Sequence, residues 1–236
     1  RRWGFQWRRR LVRWRGGFRR LVMRGHPKSE RFFTAEEKER LRATTHEVES
    51  RTIGEIVVMV VDHSDHYMEA EVLGSVLLGS LLSLILSVLF FHSSIWSYIP
   101  LSFIFFFPCW FLFIKVEVLK RLFIGIRRKE EAVRLRAERA FFERGLYRTK
   151  KNTGILFFIS LLERKVWVLA DKGIYEKMDQ ETLNRFASGV SRGIKEGRAS
   201  NALSQAIQEI GGYLANHFPI TPDDINELPD DVMTEE

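Results

Sequence analysis

Thr153–Gly173 reads TGILFFISLLERKVWVLADKG, and this stretch decides the fold. Gly154 introduces Ile155 to Leu162, a short apolar run of strand length. Glu163-Arg164-Lys165 has the polar chemistry of a turn, and Val166 to Ala170 is a second β-prone run, so the two are expected to pair as a hairpin. Upstream, Gly54 precedes Glu55-Ile-Val-Val-Met-Val-Val61, a β-branched run that reads as a buried strand. Thr34-Ala-Glu-Glu37 has the spacing of a capping box and opens a charged helix running to about Ser50. Lys129 to Gly145 is predicted helical, with Val133, Ala137, Ala140 and Phe141 on one face. Two amphipathic helices close the pattern. Asp179 is the expected cap of the first, Ser200 of the second, and both are expected to cover the sheet.

Between the strand at 55–61 and the helix at 129 lies an apolar interruption. Val72–Phe91, VLGSVLLGSLLSLILSVLFF, holds no charge and is long enough, at about 1.5 Å per residue, to span a hydrocarbon core of about 30 Å. Gly74, Ser75, Gly79, Ser80 and Ser83 have spacings that permit close helix contact. A second uncharged run, Tyr98–Ile114, is very aromatic and carries Pro100 and Pro108, which make it the weaker span. The link His92–Ser97 has no Lys or Arg, whereas Lys115, Lys120, Arg121, Arg127, Arg128 and Lys129 follow the second run. By the positive-inside rule both soluble halves and both termini face the cytoplasm.

The formal charge of +7 is unevenly placed. Residues 1–25 contain ten arginines and no acid, and the last eighteen residues, from Pro219, contain seven acids and no Lys or Arg. The basic head, RRWGFQWRRRLVRWRGGFRRLVMR, mixes arginine with Trp, Phe, Leu and Val. Arg8, Arg9, Arg10, Trp14, Arg19 and Arg20 are expected to contact an anionic membrane surface. RNA binding by stacking is the less favoured alternative. The head lacks the layout of a secretory signal, which agrees with a cytoplasmic soluble part. The acidic end reads as disordered. The expected organisation is therefore an arm at 1–29, a first domain segment at 30–71, a transmembrane hairpin at 72–114, a second domain segment at 115–218 and a tail at 219–236.

The order of elements and four local strings resemble the TPM domain family: FTAEEKERL at 33–41, TIGEIVVMVV at 52–61, the segment at 139–174 containing the Thr153–Gly173 block, and ALSQAIQEIGGYLANHFP at 202–219. The resemblance implies an α/β fold, a three-layer α/β/α sandwich around a small mixed sheet. Here a two-helix transmembrane hairpin is inserted after the first strand. Family members are associated with maintenance of membrane complexes, with accessory subunits and in places with metal-dependent phosphatase activity. They usually look exported, and their spans follow the domain instead of interrupting it, so no lumenal or periplasmic role carries over.

The best polar cluster is Asp62-His-Ser-Asp65-His66, at the end of the first strand, with Asp171 at the end of the third. Ligands of open α/β sheets bind beyond the carboxyl ends of strands. Asp62, Asp65, His66 and Asp171 are thus the candidate ligands for a divalent cation such as Ca²⁺ or Mg²⁺, and Zn²⁺ is also compatible with an imidazole. The other reading of the same residues is a hydrated connector leading into the bilayer. Cys109, the single cysteine, excludes an intrachain disulfide and a cysteine-based metal cluster. No phosphate-binding glycine loop and no HExxH is present, and no residue is assigned a catalytic role. The sequence favours a non-enzymatic accessory or assembly factor for membrane protein complexes, with the lipid bilayer and other membrane proteins as partners. The alternative is a metal-dependent phosphohydrolase, which requires Asp62 and Asp171 to converge.

Overall fold

The computed structural model describes residues 27–91, 95–149, 151–220, 228 and 230–235. The arm residues Arg8, Arg9, Arg10, Trp14, Arg19 and Arg20 lie outside them.

The sheet has four strands: β1 (Glu55–Val61), β2 (Gly154–Ser160), β3 (Lys165–Ala170) and β4 (Met233–Glu235), in the order β3-β2-β1-β4. β1 runs parallel to both β2 and β4, and β2 and β3 form the expected antiparallel hairpin. Every residue of β1 and of β2 is buried, as their unbroken apolar runs require of central strands covered on both sides. β3 alternates between half-buried and buried residues, as an edge strand does.

One face of the sheet, carrying Ile56, Val58, Ile155, Phe157 and Val168, packs against three helices: α2 (Ala35–Glu49), α8 (Gln180–Lys195) and α9 (Ala199–His217). The other face, carrying Val57, Met59, Leu156 and Phe158, packs against α6 (Ile126–Glu143) through Val133, Ala137, Ala140 and Phe141. This is the three-layer α/β/α sandwich with a small mixed sheet. The capping box forms as expected: Thr34 Oγ1 accepts from Glu37 N, and the Glu37 carboxylate accepts from Thr34 N at 2.8 Å. Asp179 caps α8 by accepting from Thr182 N at 2.9 Å. Ser200 does not cap α9. That helix begins at Ala199, two residues earlier than a Ser200 cap would start it, and this places Ser200 in its buried first turn.

The apolar interruption forms two long helices, α3 (Met68–Phe90) and α4 (Ile95–Lys115), each long and apolar enough to cross a membrane. They pack on each other through small residues. Gly74, Ser75, Gly79, Ser83 and Ser87 are buried, and a Cβ on Gly79 would stand 3.3 Å from the backbone of Phe106. Ser80 and Tyr98 hydroxyls meet at 2.6 Å, and Ser87 and Ser97 at 3.1 Å. Pro100 and Pro108 are carried inside a continuous α4. The outer faces are open: Leu89 is 69% exposed and Phe107 64%.

Both ends of the expected organisation are corrected. Lys28 and Ser29, assigned to the arm, begin α1 (Lys28–Phe32). The acidic tail is not disordered throughout, because Met233–Glu235 adds β4 to the outer edge of β1. The cause is electrostatic and local. The Glu235 carboxylate is held by the guanidinium groups of Arg136 on α6 and Arg144 just past its end, and its carbonyl accepts from Ser29 Oγ and Asp62 N. Farther back, Asp230 meets His46 at 3.1 Å and Asp231 meets Arg42 at 3.5 Å.

Candidate functional site

The chain leaves the sheet at Val61 and enters α3 at Met68, so residues 62–67 must bridge two different surroundings in six positions. Asp62 turns back to the sheet. Its carboxylate accepts from Lys28 N at 3.0 Å and Ser29 N at 2.6 Å, capping α1. Asp65 accepts from His66 N at 2.7 Å and pairs with Arg128, whose Nε also reaches Glu69 at 3.2 Å. The same guanidinium lies over the Tyr67 ring, 5.6 Å from its centroid, a cation–π geometry. His63 Nε2 and His66 Nδ1 stand 3.3 Å apart. Burial, then the adjacent His66 ring, push the His63 imidazole below its usual range.

The centre of the cluster is Glu163, in the β2–β3 turn. Glu163 is 5% exposed, and its carboxyl group accepts from three donors on two segments: Tyr67 Oη at 2.6 Å and Ser64 N at 3.0 Å on the connector, and the Ser160 hydroxyl at the end of β2. Ser64 Oγ and Ser160 Oγ are bonded at 2.9 Å. Tyr67 is almost fully buried and takes a left-handed backbone conformation (φ 48°, ψ 45°), uncommon for a bulky residue and held by its surroundings. Burial, then the bond to Glu163, push its hydroxyl well above its usual titration range. One turn into α3, Glu71 pairs with Lys120 of α5 (Glu117–Phe123) at 2.6 Å, with side chains 3% and 9% exposed. A buried pair of this kind is costly to break from one side only. Together these contacts fix the direction in which the helical hairpin leaves the sheet.

The proposed cation ligands do not converge. β3 runs antiparallel to β2, so its carboxyl end lies at the amino end of β1. Asp171 N donates to Gly154 O there, whereas Asp62 O accepts from Leu162 N at the far end. A strand of seven residues at about 3.3 Å each puts roughly 20 Å between them. Asp171 instead caps α7 (Lys172–Tyr175), accepting from Lys172 N at 2.7 Å. Asp62, Asp65 and His66 are each turned to a different neighbour. Among the described residues no three His, Cys, Asp or Glu side chains form a group fit for a metal ion. The residues present therefore do not fit a shared metal centre, and the arrangement that metal-dependent phosphoryl chemistry requires of Asp62 and Asp171 is not formed. Gly189-Val-Ser-Arg-Gly193 fits GxSxG by letter, but Ser191 lies inside α8, away from the strand-to-helix turn that exposes such a nucleophile.

Glu163 escaped the sequence reading because a charged residue between two strands looks like a solvated turn. Its burial depends on Ser64 and Tyr67, which arrive from almost a hundred positions away. The signal available was the Ser160-x-x-Glu163 spacing, which lets a short hydroxyl reach a carboxyl across one turn.

No curated protein matches the chain in sequence. In fold it is similar to the BA42 protein from the psychrophilic bacterium Bizionia argentinensis, known from an NMR structure. The TM-score is 0.55 at 20% identity, covering 86% of this chain and 96% of that one. The family model of the TPM domain matches residues 114–213, beginning where α4 ends. With β2, β3, α6, α8 and most of α9 inside that match, the segment from 114 to 213 belongs to the TPM domain family.

Proposed function

We propose that this chain is an integral membrane protein with two spans whose TPM domain faces the cytoplasm and serves as a non-enzymatic accessory or assembly factor for other membrane proteins. The observation that carries the proposal is the junction. Glu163, Tyr67, Arg128 and the Lys120–Glu71 pair tie the sandwich to the root of two helices whose apolar faces are open. A tether that only had to anchor would need no such brace, whereas a domain that must present one surface at a set height above the bilayer does. The positive-inside bias supports the orientation. Trp96, 84% exposed near the start of α4, suits the opposite headgroup layer. Lys28 Nζ pairs with Glu117 at 2.6 Å, just past the second span. The arginine- and tryptophan-rich arm thus joins the domain beside the membrane root, where anionic headgroups are within its reach.

Cysteines introduced at Ser94 and Glu196 in a Cys109→Ser background test the topology. The first is expected to react with an impermeant maleimide in intact cells, the second only after permeabilisation. The reverse pattern, or release of the chain by alkaline carbonate, overturns the reading. For the accessory role, removal of the chain is expected to lower the assembly of whatever membrane complex crosslinks to it; unchanged assembly overturns that part.

A further inference from the structure

α5 begins just after α4 ends, with only Val116 between them, and it packs against both hairpin helices. Its inner face is fixed: Lys120 pairs with Glu71, and the Phe123 ring meets the Phe113 ring edge to face, centroids 5.2 Å apart. Its outer face is open. Val118 and Leu122, one helical turn apart, are 58% and 75% exposed, and Ile126 at the start of α6 is 72% exposed. Single apolar side chains on a surface need no explanation. Here three follow one another directly after a span, and Leu122 stands more open than Leu89 does in α3.

The cations of the same stretch divide into two kinds. Lys120 is engaged by Glu71, and the carboxylates to either side are taken as well, Glu117 by Lys28 at 2.6 Å and Glu130 by Lys165 at 2.7 Å. Arg121 and Lys129 form no ion pair among the described residues, yet they are held together, because Lys129 Nζ donates to Arg121 O at 2.8 Å. Both are half-buried. Burial, then the Arg121 charge, push the Lys129 ammonium below its usual range, and Glu163 offsets this only in part. Two like charges set side by side and partly out of water are relieved by one anion between them. A phosphate accepts from ammonium and guanidinium alike.

We propose that α5 is an interfacial helix that seats an anionic phospholipid. Val118, Leu122 and Ile126 enter the boundary between headgroups and acyl chains, and Arg121 and Lys129 hold the lipid phosphate between them. A helix of seven residues is too short to hold a bilayer alone, but α4 delivers this one to the membrane surface and Lys120 fixes which face it turns there. The inference rests on the two-span reading above and names the lipid class that reading leaves open.

The test uses the full chain reconstituted in vesicles of phosphatidylcholine and phosphatidylglycerol in equal parts. In a Cys109→Ser background, nitroxides on Leu122→Cys, on Leu84→Cys in the span and on Glu196→Cys in the domain are compared by their collisions with oxygen and with a water-soluble nickel chelate. The label at Leu122 is expected to side with the one at Leu84. If it sides with Glu196 while Leu84 stays in lipid, the proposal is overturned and the two spans stand. If Leu84 also reports water, the two-span reading has failed and takes the proposal with it. The headgroup is read by a fluorophore on Leu122→Cys, quenched by brominated phosphatidylglycerol or brominated phosphatidylcholine in the same mixture. Preference for the anionic lipid is expected, reduced at least about fivefold by Arg121→Gln with Lys129→Gln and kept by Arg121→Lys with Lys129→Arg. Equal quenching by both lipids, a preference intact in the glutamine variant, or one lost in the charge-conserving variant overturns the proposal.

Discussion

The inner strands and the hairpin helices are almost equally apolar in sequence, yet their side chains meet opposite surroundings. In β1 and β2 every residue is buried, and Phe157 and Phe158 are wholly enclosed between two helical layers. Along most of α3 and α4 it is the stripe of small residues that is enclosed, with Phe113 as the large exception near the root, and most large side chains point away from the protein, with Leu84 52% exposed. The sandwich buries its large residues in protein and shows water its polar ones, whereas the hairpin buries glycine and serine and leaves most of its leucine and phenylalanine outside. Residue type alone does not report the solvent of a segment; which sizes are turned inward does.

The widest separation between the two regions is expected from truncating one large side chain in each. Phe157→Ala is expected to cost about 3–5 kcal/mol of domain stability by opening a cavity, and Leu84→Ala less than about 0.5 kcal/mol. Urea unfolding of the detergent-solubilised chain followed by circular dichroism reads both. An equal loss from Leu84→Ala would mean that the outer face of the hairpin is packed against protein, and the contrast would collapse.

The brace between the regions comes next. Lys120→Met leaves Glu71 charged and enclosed, at an expected cost of about 3–5 kcal/mol, while the double variant with Glu71→Leu is expected to recover most of it. Glu163→Ala strands the Tyr67 hydroxyl, the Ser160 hydroxyl and the Ser64 amide, with a loss of about 2–3 kcal/mol. Hydrogen exchange should then rise in residues 62–67 before it rises in β1. Uniform exchange across both segments would show that the junction and the sheet open as one unit.

A smaller effect sharpens the sandwich side. Glu49 at the end of α2 accepts from Ile56 N at 2.8 Å, and burial pushes its carboxyl up to about 9 from an ordinary 4.5. The fold thus favours the protonated form. That contribution is complete below pH about 4.5 and is lost as the pH climbs toward 9, so stability is expected to decline across this window. Glu49→Gln should flatten the decline; a profile identical to the unaltered chain would mean that Glu49 does not titrate there. The smallest effect is expected from Thr34→Ala, which removes half of the capping box at a cost of about 1 kcal/mol.

Much of this architecture was legible in the residues because its signals are local. The capping box, the Asp179 cap, the β2–β3 turn and the small-residue stripe each lie within a few positions of one another. What was not legible depends on chain direction or on distant partners. Asp62 and Asp171 both end strands, but the hairpin that joins β2 to β3 reverses β3 and sends Asp171 to the other end of the sheet. β4 has three residues in an acidic stretch and little strand character of its own. Its place is set by Arg136, Arg144 and the open edge of β1. Glu163 reads as solvated until Tyr67 covers it.

The parallel register of β1 with β2 has a consequence for biogenesis. Glu55 pairs with Gly154, and the whole hairpin lies between them in the chain. With the hairpin in the bilayer as proposed, β1 waits on the ribosome's side of the membrane until both spans have been inserted and β2 has returned. A chain whose second span failed to cross would leave its two central strands on opposite sides, unable to pair. Under that proposed topology the sheet would proofread its own insertion: only an even number of crossings would yield a folded domain, and misinserted copies would present unpaired strands to quality control.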